Sequence, residues 1–117
     1  MFLSVDPGAA VSLADQIAAQ VRGQIAAGDV RPGDRLPAAR HVADGLEVNM
    51  HTVLRAYAQL RDEGLIELRR GRGAVVRDDV SAVHVEVLQR VDDLLAAAGR
   101  VGMSRTDIID LIRKAPA

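Results

Sequence analysis

Residues 65–76 read LIELRRGRGAVV. Two short apolar runs flank a tip, Arg70-Gly71-Arg72-Gly73, whose glycines allow positive φ. That pattern predicts a hairpin, with strands over residues 65–69 and 74–77. Arg69, Arg70, Arg72 and Arg77 fall within nine residues that carry no acid. By itself a cationic glycine tip is equally an ordinary solvated loop. Its meaning depends on what precedes it.

What precedes it is a run of helical signals. Ser12 stands before Leu13, Ile17, Val21 and Ile25, an apolar stripe at i, i+4 spacing, and forms a capping-box pair with Asp15. Gly28 is the expected stop, which gives a first helix over Leu13–Ala27. Residues 30–34 read as a turn, and Arg35-Leu36 as a stub of strand. Pro37 suits a helix opening, because its missing N–H would be unpaired there. The second helix is expected over residues 38–46, with Leu36, Val42, Ala43 and Leu46 inward. After a break at Glu47-Val48, Asn49 caps a third helix over residues 50–63, which Gly64 ends. Two short helices, a tight turn and a basic hairpin make the order of a winged helix-turn-helix.

The third helix has two faces. At about 100° per residue, Val53, Ala56, Tyr57 and Leu60 share one side, and His51, Thr52, Arg55 and Gln59 fall roughly opposite. The second set offers groups that pair with base edges and phosphates. Asn49 and the free N–H groups of the first turn can hold a phosphate. Arg55 also has a plainer reading, as an ion pair with Asp62 or Glu63. Leu54 is expected to pack against a neighbouring element.

Composition narrows the classes. The chain has 117 residues, of which 49% are hydrophobic and 2% aromatic, so its core is aliphatic. It has no cysteine, hence no disulfide and no thiolate zinc site, which fits a reducing compartment. No apolar run nears the roughly 18 residues that span a membrane, and no signal-peptide pattern opens the chain. A cytoplasmic protein is expected. Residues 1–77 carry ten arginines against nine acids, and residues 78–117 five cations against seven acids. Nucleic-acid affinity must therefore come from local placement of charge.

The segments SLADQIAAQVRGQIAAGDVRPGDRLPAAR and VNMHTVLRAYAQLRDEGLIELRRGRGAVV resemble the N-terminal DNA-binding domain of the GntR family of bacterial transcription regulators. The PGDRLP turn, HTVLRAY and the EGLIE-then-RRGRG wing carry the resemblance. The short remainder resembles the YtrA-like branch, in which two C-terminal helices serve for dimerisation. The implied fold is mainly α with a small β-hairpin. A winged helix-turn-helix spans residues 1–77, a hinge 78–81 and a helical dimerisation appendage 82–117. The implied function is that of a dimeric repressor binding palindromic double-stranded DNA, possessing no cofactor and no catalytic residue; control of a transporter operon is a further expectation. Carried over residue by residue, Arg40 contacts the phosphate backbone. Asn49, Met50, His51 and Thr52 open the recognition helix, and Arg70, Gly71 and Arg72 form the wing tip. The chain departs from the pattern at Met50 and Leu54, where many members carry arginine. Methionine cannot hydrogen-bond guanine, although it can pack on a thymine methyl. Ala38 replaces a serine-like cap, at a cost of about 1 kcal/mol.

Beyond the wing, a fourth helix is expected over residues 82–98 and a fifth over Arg105–Lys114, the latter opened by a Ser104/Asp107 capping box. Leu88, Val91, Leu94, Leu95, Ile108, Leu111 and Ile112 are more apolar surface than two short helices hide by themselves. They either fold back on the winged domain or, as the preferred reading, pair with a second copy in a homodimer. His41, His51 and His84 lack ligand spacing, so no metal site is expected, and His51 reads as a groove contact. No nucleophile–base pair, carboxylate dyad or phosphate loop stands out. The main alternative is a winged domain used for protein interaction. A small-molecule effector stays unassigned; the hinge, the C-terminal helices and the dimer interface are where one would act.

Overall fold

The computed structural model describes residues 1–116; residue 117, the end of the expected appendage, lies outside them. The chain runs α1 (Leu13–Ala27), α2 (Ala39–Leu46), α3 (Met50–Asp62), β1 (Ile66–Arg69), β2 (Gly73–Val76), α4 (Ala82–Arg100) and α5 (Arg105–Lys114). Ser12, Asn49, Ser81 and Ser104 each accept a hydrogen bond from a first-turn N–H, which satisfies one of the donors a helix leaves open. Ala38, ahead of α2, makes no such bond. The full capping box forms at Ser104 and Asp107, and the backbone N–H of Ser104 holds the Asp107 carboxyl below its usual pKa. At Ser12 only the forward bond to the Asp15 N–H is made. Gly28, at φ 82°, closes α1, and α4 runs two residues past its expected end.

The core is aliphatic. Ile17, Val21 and Ile25 of α1 meet Val42 and Ala43 of α2, and Val53, Ala56 and Leu60 of α3. Leu65, Ile66 and Val76 close the cluster from the wing. Burying each of the valine, leucine and isoleucine side chains stabilises the fold by about 1.5–3 kcal/mol.

β1 and β2 pair antiparallel, in register from Ile66↔Val76 to Arg69↔Gly73. The far edge of β2 is covered by residues 33–36. Gly33 donates to Val76, Val76 to Asp34 and Leu36 to Ala74, each at 2.8 Å. The strand stub expected at Arg35-Leu36 is thus real, as a bridge between Arg35 and Val75. Arg77 leaves the ladder. Its N–H still reaches the Leu65 carbonyl at 3.0 Å, but its guanidinium turns to Asp79.

Two features tie the ends of the chain to α1. Gln16, Gln20 and Gln24, four residues apart, bond to the backbone of Asp6, Ser4 and Phe2, two residues apart. Four helical residues rise about 6 Å and two extended residues about 6.6 Å, so the spacings match and the arm lies along the helix. Past residues 78–81, α4 folds back along α1, placing Val85 in the main core and Leu88 against it.

Candidate nucleic-acid interface

The helix-turn-helix angle has local causes. Glu47 sits in the left-handed region at φ 56°, and its N–H turns back to the Ala43 and Asp44 carbonyls. The Val48 N–H reaches the Ala43 carbonyl at 3.0 Å, so the chain enters α3 within three residues. Left-handed backbone costs a side-chain-bearing residue roughly 1–2 kcal/mol, offset here by those bonds. Across the turn, the Tyr57 hydroxyl donates to the Pro37 carbonyl at 2.6 Å. Burial pushes its pKa up to about 12, so it stays a donor. This bond holds the start of α2 to the middle of α3.

On α3, His51 and Arg55 are exposed on the side opposite Val53, Ala56, Tyr57 and Leu60. Asn49 is exposed; its Oδ1 caps the helix at 2.8 Å from the His51 N–H, which leaves its Nδ2 donors outward. Thr52 is half-buried. Met50 is half-buried too and packs on the core cluster. Leu54, expected to pack against a neighbour, is instead 43% exposed beside His51 and Arg55. The apolar group offered on this face is therefore Leu54 more than Met50. Gln59, placed on the groove face by helical angle alone, turns the other way. With its amide oriented to satisfy both neighbours, it donates to Asp15 Oδ1 at 3.1 Å and accepts from Arg22 Nη2 at 2.9 Å.

Arg70, Gly71 and Arg72 are exposed at the wing tip. The Arg72 N–H closes the turn on the Arg69 carbonyl at 3.1 Å, with Gly71 at φ 81°, a value L side chains resist. Arg40 is exposed in the first turn of α2. Arg35 joins the wing: its Nε lies 4.0 Å from where a Cβ on Gly73 would stand. Sequence reading missed Arg35 as a site residue, although the strand stub beside the wing was the signal.

Pairing separates the cations. Arg22, Arg61, Arg69, Arg77, Arg90 and Arg113 each face a carboxylate. The acid-free run of the wing is therefore partly neutralised from its flanks, Arg69 by Glu67 and Arg77 by Asp79. Arg31, Arg35, Arg40, Arg55, Arg70 and Arg72 have no carboxylate partner among the described residues. Arg55 in particular does not pair with Asp62 or Glu63, which face Arg61 and Arg22. Beyond residue 72, Arg100, Arg105 and Lys114 are similarly unpaired. Unpaired guanidinium groups on the helix-turn-helix and wing are the arrangement that phosphates neutralise.

The C-terminal apolar residues divide. Ile108 is only 6% exposed within the single chain, which removes it from the surface offered to a second copy. Leu88 and Leu95 are half-buried. Val91, Leu94, Leu111 and Ile112 are exposed, and Val83 and Val87 extend the stripe on α4 at i, i+4, i+8, i+11. Such a stripe leaves a contiguous apolar surface in water. His41, His51 and His84 lie exposed on α2, α3 and α4, and among the described residues no three metal-type side chains converge. No helix among them is long and apolar enough to cross a membrane.

Comparison with known proteins bears on the same residues. The family profile "Bacterial regulatory proteins, gntR family" matches residues 13–76. The chain is 28% identical over 120 residues to the HTH-type transcriptional repressor YtrA of Bacillus subtilis, covering 98% of this chain and 92% of that one. An HTH-type transcriptional regulator of Mycobacterium tuberculosis is 30% identical over 115 residues, covering 98% and 94%. Among solved structures, the GntR-family transcription factor YtrA from Sulfolobus acidocaldarius superposes with a TM-score of 0.62 at 35% identity, covering 94% and 92%.

Proposed function

The chain belongs to the gntR family of bacterial regulatory proteins, DNA-binding transcription regulators that are not enzymes, and from that premise we propose that it is a dimeric repressor of the bacterial cytoplasm that binds a palindromic operator. Each copy lays α3 in a major groove and its wing on the flanking backbone. His51 and Arg55 reach base edges, and Leu54 meets thymine methyls. Arg40, Asn49, Thr52 and the wing residues Arg70, Gly71 and Arg72 hold phosphate and sugar. The observation that carries this reading is the clustering of unpaired arginines on α2, α3 and the wing, beside paired arginines at Arg22, Arg61 and Arg90. Two copies double the set, and self-complementary half-sites mirror a two-fold pair. The exposed stripe Val83, Val87, Val91 and Leu94, with Leu111 and Ile112, supplies the pairing surface. A bound dimer occludes its promoter, which fits the repressor named in B. subtilis. The resemblance to the YtrA-like branch makes a transporter operon the expected target.

The test is selection from a randomised duplex library. The expected product is two inverted half-sites, and Arg55→Ala relaxes preference at one position in each while weakening binding by about 1–3 kcal/mol. A pool that stays random at low salt contradicts the proposal and favours a winged module that binds protein.

A further inference from the structure

Arg22 is 1% exposed, yet it belongs to a chain whose other arginines sit at the surface or the half-buried wing. It lies on α1 and reaches two other helices. Its Nε donates to Glu63 Oε2 at 2.7 Å and its Nη2 to Glu63 Oε1 at 3.1 Å, at the C-terminal cap of α3. Its Nη1 faces Asp92 of α4. Gln59 of α3 accepts from the same guanidinium. Burial alone would lower the Arg22 pKa, and the bonds and charges of Glu63 and Asp92 outweigh it, so the group stays charged.

Apolar contact anchors the first turns of α4, through Val85 and Leu88, and leaves the angle of the rest of the helix to a second contact farther along. On α1 the buried residues beside Arg22 include the small Ala14 and Ala18, whereas α4 enters the core through Val85, with Leu88 against it, near its start. A planar guanidinium held at two points by Glu63 leaves its remaining edge in one direction, and Asp92 must meet it there. From the anchored Val85 to the far end of α4 at Arg100 is about 22 Å of helix, at about 1.5 Å per residue, and Asp92 lies between them. Without a second contact, a tilt of about 10° moves that end by about 4 Å in each copy, on the order of the roughly 3.4 Å rise of one base pair.

We infer that the Arg22–Glu63–Asp92 contact pins the recognition helix to the dimerising helix, and thereby decides which half-site spacing a pair of chains accepts. This inference rests on the dimeric, DNA-binding reading above. Arg22 and Asp92 act as positioning residues and touch no DNA.

Asp92→Asn tests it without dismantling the core, because Arg22 keeps Glu63. Asp93→Asn is the control, with the same charge change one residue along on the solvent side, where Asp93 pairs with Arg90. The chain has no cysteine, so Leu54→Cys places one spin label on α3 of each copy. Dipolar distances between the two labels need no DNA. The expected result is one narrow distribution in the labelled parent and in Asp93→Asn, and a distribution at least twice as wide in Asp92→Asn. In parallel, duplexes whose inverted half-sites are spaced one base pair apart are titrated without labels. A preference for one spacing of about tenfold or more should fall to about threefold or less in Asp92→Asn, while affinity for a single half-site is kept. A narrow distribution retained in Asp92→Asn overturns the inference, as does a labelled chain that is monomeric. A parent protein that binds no duplex defeats the function proposed above and this inference with it, whereas a parent that binds, beside an Asp92→Asn that keeps its spacing preference, overturns this inference alone.

Discussion

At the scale of single residues, the polar side chains that tie elements together were the hardest to read. Arg22 follows Val21 on a helix whose apolar stripe was plain, but a lone arginine in a sequence looks like a solvated charge. Only the three-helix junction of α1, α3 and α4 shows two carboxylates converging on it. Gln59 was drawn to the wrong face for the same reason: helical angle gives a side but not a partner. Tyr57 was legible as core, whereas its bond to the Pro37 carbonyl was not. That bond makes a clean prediction. The chain has one tyrosine and no tryptophan, so ultraviolet titration reads Tyr57 alone. Burial favours the neutral phenol, which raises its folded pKa from 10.0 to about 12. Stability from this group is therefore full below pH 10 and is lost as pH rises toward 12, by on the order of 2 kcal/mol. The ionisation midpoint should lie near 12 in the folded protein and near 10 in urea. Tyr57→Phe should cost about 1 kcal/mol in urea unfolding at neutral pH, since its carbonyl partner loses one donor.

Elements were read with more success, because caps and stripes are local. Ser12, Asn49 and Ser104 open their helices as expected, and α1 and α5 begin and end at the expected residues. The differences are of one or two residues and have local causes, such as Arg77 turning to Asp79 where β2 was expected to continue. In sequence the N-terminal arm is a short lead-in to α1 with a turn signal at Asp6-Pro7-Gly8. The glutamine ladder that holds it pairs a helical period with an extended one, a match visible only once both segments are known. The open N-terminus of α2 was foreseen and is a weakness that can be repaired. Ala38→Ser should supply an acceptor to the first turn and stabilise the chain by about 1 kcal/mol, seen as a higher urea midpoint at unchanged slope. An unchanged midpoint would mean that Pro37 and Tyr57 already hold that turn.

For the whole molecule, the sequence pointed to a winged helix-turn-helix, and the family profile over residues 13–76 agrees. The fate of the C-terminal helices stays open in the sequence, because a set of apolar residues does not say whether it meets the same chain or another. Both occur on α4. Val85 and Leu88 turn to the core, and Val83, Val87, Val91 and Leu94 face outward. Ile108 was assigned to the outer set and belongs inside. The exposed stripe predicts that Val87→Glu folds normally by circular dichroism but sediments as a 12.5 kDa monomer at concentrations where the parent is a dimer. Its affinity for a two-half-site duplex should fall at least about tenfold, through loss of bivalent attachment. A variant that remains dimeric would place the interface elsewhere.

In the function proposed above, unpaired arginines of the helix-turn-helix and wing neutralise DNA phosphates. The most direct measurement is fluorescence anisotropy of the selected duplex across a salt series, with the parent chain beside Arg70→Ala/Arg72→Ala. A steep linear fall of log affinity with log salt is expected, roughly −6 to −9 for a dimer, each phosphate contact contributing about −0.9. The double variant should be shallower by about two to four, with the selected sequence unchanged. A shallow slope in the parent, or the same slope in both proteins, would contradict it.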